Sequence, residues 1–278
     1  MVIANVQTQN YQQILTHTNS ELERLIEQAR FFGDLTEQVL RLAGLEPGMR
    51  VLDIGCGTGD VSFLAAKLVG TEGEVIGVDK SPAATALASQ RAAAAGLTNV
   101  QFVTEDLTEL VLDEPVDGLI GRLVLMYFAD PAVLLRRLCQ FVRPGGLVVF
   151  HELDATAVKS LPRCELVETT ISQIIQTFTR AGVDVQTGLK LAQIFIEAGL
   201  PRPEMIQAAR LGNGPDSPAY QHITEITRTL LPLMERVGVA TAAEVDIDTL
   251  AERLGQEVVA NNATLVAPPF IGGWARLT

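Results

Sequence analysis

Cysteine is scarce in this chain, with Cys56, Cys139 and Cys164 the only three among 278 residues. Odd in number and without metal-type spacing, they indicate neither a disulfide framework nor a zinc site, and reduced thiols are expected. No apolar run reaches the roughly 20 residues that a bilayer span requires. The opening MVIANVQTQNYQQ has neither a basic segment nor an apolar core, so a cytoplasmic protein without a membrane partner is expected. Cations are short as well. Lys and Arg number 21 against 33 Asp and Glu, giving a net charge of −12 and an isoelectric point near 4.7. Binding to nucleic acid draws on Lys and Arg that displace counterions, so no nucleic-acid partner is expected and a small neutral or cationic substrate fits better.

Apolar residues are plentiful, at 47% against 19% charged, which describes a compact globule. Near the start, Ser20-Glu21-Leu22-Glu23 reads as a capping box opening a helix with the stripe Leu22, Leu25, Ile26, Ala29. A second box, Asp34 to Glu37, predicts another helix, ended by Gly44 and Pro47-Gly48. Strand and helix patterns then alternate. Met49–Ile54, Glu74–Val78, Val100–Val103, Val116–Ile120 and Leu147–Phe150 read as strands, with helices at 61–69, 82–95 and from Asp130-Pro131. Five strands alternating with helices predict a doubly wound, mostly parallel sheet in an α/β fold. The last third is mainly helical, with stripes through Ile171 to Phe178, Leu189 to Ile196 and Ile223 to Leu233. Late strands are expected at Glu204–Ala208 and Thr264–Ala275, the second interrupted by Pro268-Pro269.

Residues 51–61, VLDIGCGTGDV, carry the strongest local signal. Glycine at alternate positions lets a strand turn sharply into a helix and lets a ligand approach the backbone, a nucleotide-site pattern. A dinucleotide fingerprint places its third glycine inside the helix, whereas here the spacing is G-x-G-x-G and Asp60 stands where a diphosphate would meet the helix N-terminus. A ligand bearing an ammonium and a sulfonium suits that carboxylate better. Asp79 ends the second strand where an acidic side chain can accept from both ribose hydroxyls. Glu105-Asp106 follows the third strand, where adenine's amino group is within reach, and no Tyr-x-x-x-Lys pair of a short-chain dehydrogenase occurs.

With these motifs in order, VLDIGCGTGD, VIGVD, TEDL, PVDGLIGRLVLMYFADP and LRRLCQFVRPGGLVVFHE, the chain resembles the class I S-adenosylmethionine-dependent methyltransferases over roughly residues 35–210. Within that family it is similar to the small-molecule methylases of ubiquinone and menaquinone biosynthesis. The resemblance implies a Rossmann-like seven-stranded sheet with N-terminal helices and helical insertions as a cap. It implies a lid at 1–45, a core at 46–154, 188–210 and 264–278, and substrate-cap insertions at 155–187 and 214–262. The implied cofactor is S-adenosyl-L-methionine. Gly55 and Gly57 would lie under its methionine portion, Asp53 would meet the ammonium through water, and Asp79 would hold the ribose. Lys80 would lie along the adenine, Asp106 and the adjoining Leu107 would meet the adenine end, and Arg122 would border the methionine end. The partner would be a small-molecule acceptor, the protein a monomer or homodimer.

Among His17, His151 and His222, only His151 directly follows the fifth strand at the carboxyl rim, which makes it the candidate general base. Glu152 and Asp154, two apart on one strand, raise a metal pair, but no third ligand stands near them and no metal is expected. The expected reaction is in-line methyl transfer to an O, N or C nucleophile. A dinucleotide-dependent oxidoreductase and a non-catalytic cofactor-binding protein are the alternatives.

Overall fold

A computed structural model describes residues 19–278; His17 lies outside them. Its strands are β1 (Arg50–Ile54), β2 (Glu74–Asp79), β3 (Val100–Thr104), β4 (Val116–Arg122), β5 (Val142–Leu153), β6 (Lys159–Leu161), β7 (Glu204–Ala208), β8 (Leu211–Gly212), β9 (Thr264–Val266) and β10 (Phe270–Arg276). The chain divides into two compact units, one of Phe32–Glu152, Thr187–Gln207 and Ile271–Thr278, the other of Leu153–Gln186 and Ala208–Phe270 with the described residues before Phe32.

The first unit holds a seven-stranded sheet in the order β3-β2-β1-β4-β5-β10-β7, the Rossmann-like methyltransferase fold. β3, β2, β1, β4 and β5 are parallel neighbours. At one end of β10, Gly145 donates to the Leu277 carbonyl and Leu277 to that of Gly146, a pairing of β5's beginning with β10's end that makes β10 antiparallel. Side chains alternate across the sheet. Leu52, Ile54, Leu119, Val148 and Phe150 pack on one face with the helices Pro131–Leu138 and Thr187–Ala198. Val51, Val75, Ile120, Leu147 and Val149 pack on the other with Asp60–Val69 and with Val39 and Leu40.

Local signals place several elements where the sequence predicts them. Ser81 caps Pro82–Ala94 by accepting from Ala84 N, and Asp130 caps Pro131–Leu138 by accepting from Val133 N, each followed by a first-turn proline. Three expectations need correction. The two N-terminal helices are one, Asn19–Leu42: Asp34 lies inside it and accepts from its neighbour Leu35 N, while the buried stripe Phe32, Thr36, Val39, Leu40 and Ala43 runs on beyond it. β5 starts before Pro144-Gly145-Gly146 rather than after it, and absorbs those residues as a register shift against β4. The run Thr264–Ala275 is two strands in two sheets, β9 and β10, separated at Ala267-Pro268-Pro269.

In the second unit, β6 and β8 flank β9 in an antiparallel three-stranded sheet. The helix Glu165–Arg180 packs against Pro218–Arg236 and Leu250–Ala260, and the Glu257 carboxylate accepts from Leu166 and Val167 N at the start of Glu165–Arg180. Phe31 and His222 stack at 4.2 Å, with the Arg210 guanidinium 5.4 Å from the Phe31 ring centre. No helix among the described residues is long and apolar enough to cross a membrane.

Candidate active site

The carboxyl ends of β1, β2, β4 and β5 bring the expected residues together. Strand alternation and register put Asp53, Asp79, Arg122 and His151 on the same sheet face. The glycine loop follows β1 with Gly55, Gly57 and Gly59 all left-handed, at φ +62°, +52° and +86°, conformations open to glycine at little cost. A Cβ on Gly55 would lie 2.7 Å from Val124 Cγ2, so the loop is seated directly on the turn after β4.

Asp79 is 9% exposed. Its Oδ2 accepts from Gly57 N and its Oδ1 from Ser81 N, both at 2.9 Å, so the carboxylate is fixed to the loop it faces. Asp53 lies deeper, 1% exposed, and accepts from Ser62 Oγ at 2.6 Å. Burial pushes its carboxyl up to about 7, against the opposing pulls of the Ser62 hydrogen bond and the Arg122 charge. Arg122 donates through Nη1 to Thr36 Oγ1 at 3.2 Å. Burial lowers its pKa, while Asp60 and Asp53 favour its charge.

At the other end, Asp106 is exposed and accepts from Thr108 N and Oγ1 at 2.8 and 2.6 Å. Burial opposes the shift, yet those bonds and the charge of Lys80 hold its carboxyl below the ordinary carboxylate range. Lys80 is exposed. Leu107 is buried in the core beside Ile76 and Val78.

Two readings change. Asp60 does not present a bare charge at its helix N-terminus: Arg91 grips it in bidentate fashion at 2.7 and 2.9 Å, and Thr58 Oγ1 donates to it at 2.7 Å. Its weight against a diphosphate is correspondingly small, and the choice between ligands falls on the rest of the site. His151 is wholly buried; burial first, and the Arg122 charge second, lower its pKa to about 3. An imidazole held neutral that strongly is a weak proton acceptor, which weighs against the role of base. Glu152 and Asp154 are committed elsewhere, Glu152 to Val124 and Leu125 N and Asp154 to Thr156 N and Oγ1. Among the described residues no group of three His, Cys, Asp or Glu could hold a metal.

Ser62, Arg91 and Thr36 were not singled out by the sequence, and Glu152 was singled out only as half of a metal pair. Ser62 alone had a local signal, nine residues after Asp53 on the helix that the glycine loop opens; the others depend on contacts between distant segments.

Residues 45–199 match the model of a methyltransferase domain family. The chain belongs to the class I S-adenosylmethionine-dependent methyltransferases. Its methyltransferase domain is 35% identical over 116 residues to the arsenite methyltransferase of Halobacterium salinarum, covering 41% of this chain and 30% of that one. Over 127 residues it is 33% identical to the demethylmenaquinone methyltransferase of Staphylococcus aureus, covering 45% and 51%. The match thus spans about half the length of such curated relatives, or less. Among solved structures, the N-methyltransferase 2 of Haemonchus contortus, in complex with phosphomonomethylethanolamine and S-adenosylhomocysteine, shares the fold with a TM-score of 0.58. That likeness has 16% identity and covers 96% of this chain and 59% of that one.

Proposed function

We propose that this methyltransferase domain carries a methyl group from S-adenosylmethionine to a small, partly apolar acceptor. The observation that carries the reading is the Gly57–Asp79 hydrogen bond, which fixes an acidic side chain against a glycine loop bare enough for a ligand to lie on. The residues fit the methyl donor. Asp79 keeps acceptor capacity for a ribose diol beyond its two backbone bonds; Asp106, held ionised, suits the adenine amino group; and Asp53 with Arg122 supplies opposite charges for an amino acid's ammonium and carboxylate. Gly55 seats the loop on Val124, and the left-handed Gly57 keeps its backbone bare between them.

Bound there, the cofactor supplies an electrophilic methyl on a sulfonium, and the chain's task is to orient, to exclude water and to hold charge. Asp53 and Arg122 would fix the methionine end, Asp79 the ribose. With His151 neutral down to a pH of about 3, the reaction proceeds by positioning, which suits an acceptor that is already nucleophilic or acidic enough to lose its own proton.

The names of relatives span arsenic and naphthoquinone acceptors. Arsenic is thiophilic, and here burial first of all raises the thiols of Cys56 and Cys139, the latter to about 12. An apolar ring acceptor accords better with these residues and with the net charge of −12.

Calorimetry with S-adenosylhomocysteine tests the reading: 1:1 binding is expected, and Asp79→Ala should weaken it by about 1.5–3 kcal/mol, the scale of a hydrogen bond to a charged group. A labelled-methyl screen of phenols, amines and quinone precursors then identifies the acceptor. Binding of NAD with no response to S-adenosylhomocysteine would overturn the assignment.

A further inference from the structure

Glu152 stands on the sheet face opposite Asp53, Arg122 and His151, in line with Val148 and Phe150. It is wholly buried, and its Oε1 accepts from two consecutive backbone N–H groups, Val124 at 3.0 Å and Leu125 at 2.7 Å. One residue earlier, Leu123 has φ +54°, a left-handed conformation that a leucine adopts only when its surroundings impose it. Leu123 N donates to the His151 carbonyl at 2.8 Å. Two adjoining residues of β5 thus grip three adjoining residues after β4, and the turn they impose carries Val124 onto the glycine loop at Gly55.

We infer that Glu152 is a positioning residue for the methyl-donor site: its carboxylate holds the turn 123–125 so that Val124 fixes the floor of the loop at Gly55 and the turn fixes Arg122 just before it. This rests on the donor site proposed above. A buried carboxylate is costly unless hydrogen-bonded, and a hydrophobic residue would fill this core position at less cost. Two adjacent N–H groups left in a strained turn supply the reason for an acid there. The action is local to the methionine end. Asp79 and Asp106, at the ribose and adenine ends, are tied to Gly57, Ser81 and Thr108 instead.

The experiment compares Glu152→Ala, Glu152→Gln and wild type by calorimetry with S-adenosylhomocysteine and with adenosine, and by amide exchange over residues 119–127 and over β1. Glu152→Ala should weaken S-adenosylhomocysteine by about tenfold or more, the loss of a charged hydrogen-bond acceptor. It should leave adenosine within about twofold and speed exchange at Val124 and Leu125 but not in β1. Glu152→Gln keeps a carbonyl oxygen at the same reach and should restore most of the affinity. Should Glu152→Ala not fold, Glu152→Asp, a methylene too short, takes its place against Glu152→Gln. Equal losses for both ligands, unchanged exchange at 124–125, or no difference between the Asp and Gln variants would each overturn the inference. Wild-type protein that ignores S-adenosylhomocysteine would instead refute the donor-site reading, while the exchange data still decide whether Glu152 holds the turn.

Discussion

Asp53 sits 1% exposed with its carboxyl pushed up to about 7 by burial, and an ammonium arriving beside it can shift that equilibrium in only one direction. The ligand's charge favours the carboxylate, so binding near pH 7 should release a fraction of a proton. Titrating S-adenosylhomocysteine in phosphate and in Tris, whose ionisation heats differ, reads that fraction from the difference in apparent enthalpy. Asp53→Asn should abolish the difference and weaken binding. His151 makes the contrary case: neutral down to about 3, it should add no inflection to the rate between pH 5 and 8, and a neutral-pH inflection lost in His151→Asn would restore it as a base. The sequence showed His151 at the strand rim but not its burial, because burial depends on tertiary packing, to which β4 brings Arg122.

Among the elements, the glycine loop was the most legible, since G-x-G-x-G is a statement about backbone conformation and needs no distant partner. Gly55→Ala tests it: with φ +62° and Val124 Cγ2 2.7 Å from the added carbon, the variant should lose about 1–3 kcal/mol of stability and most cofactor affinity, by denaturant melts and calorimetry. Ser81-Pro82 and Asp130-Pro131 were readable for the same local reason. The second capping box was misleading because Asp34 carries the right residue type, yet Phe32, Thr36, Val39 and Leu40 bury one continuous stripe, and packing outweighs a local hydrogen bond. β6, β8 and β9 run for only two or three residues, too short for period-two alternation to register. Glu152 looked like a metal candidate because its partners, Val124 and Leu125, are 28 and 27 residues away and offer backbone rather than side chains.

For the whole molecule, three buried groups among the described residues weigh on the response to mild acid. His151 and His222, both lowered to about 3 chiefly by burial, refuse protons that the unfolded chain accepts below about 6.5, so each costs stability as pH falls from 6.5 towards 3. Asp53 works oppositely, taking a proton below about 7 that the unfolded chain takes only near 3.8, and so favours the native state across that window. Two outweigh one: stability should decline from pH 6.5 to 5. His222→Phe, which keeps a ring stacked on Phe31, should narrow the gap between urea melts at pH 7 and pH 5; an unchanged gap would put the acid sensitivity elsewhere. The place of β10 in the sheet has a consequence for synthesis. It lies between β5 and β7, yet it follows β7 in the chain by 62 residues, from Ala208 to Phe270. As the ribosome delivers the chain from its N-terminus, β7 therefore emerges with no neighbour to join, while β3, β2, β1, β4 and β5 can already zip together. The edge of β5 stays open until β10 arrives, and during that interval it can pair with another chain or recruit a chaperone.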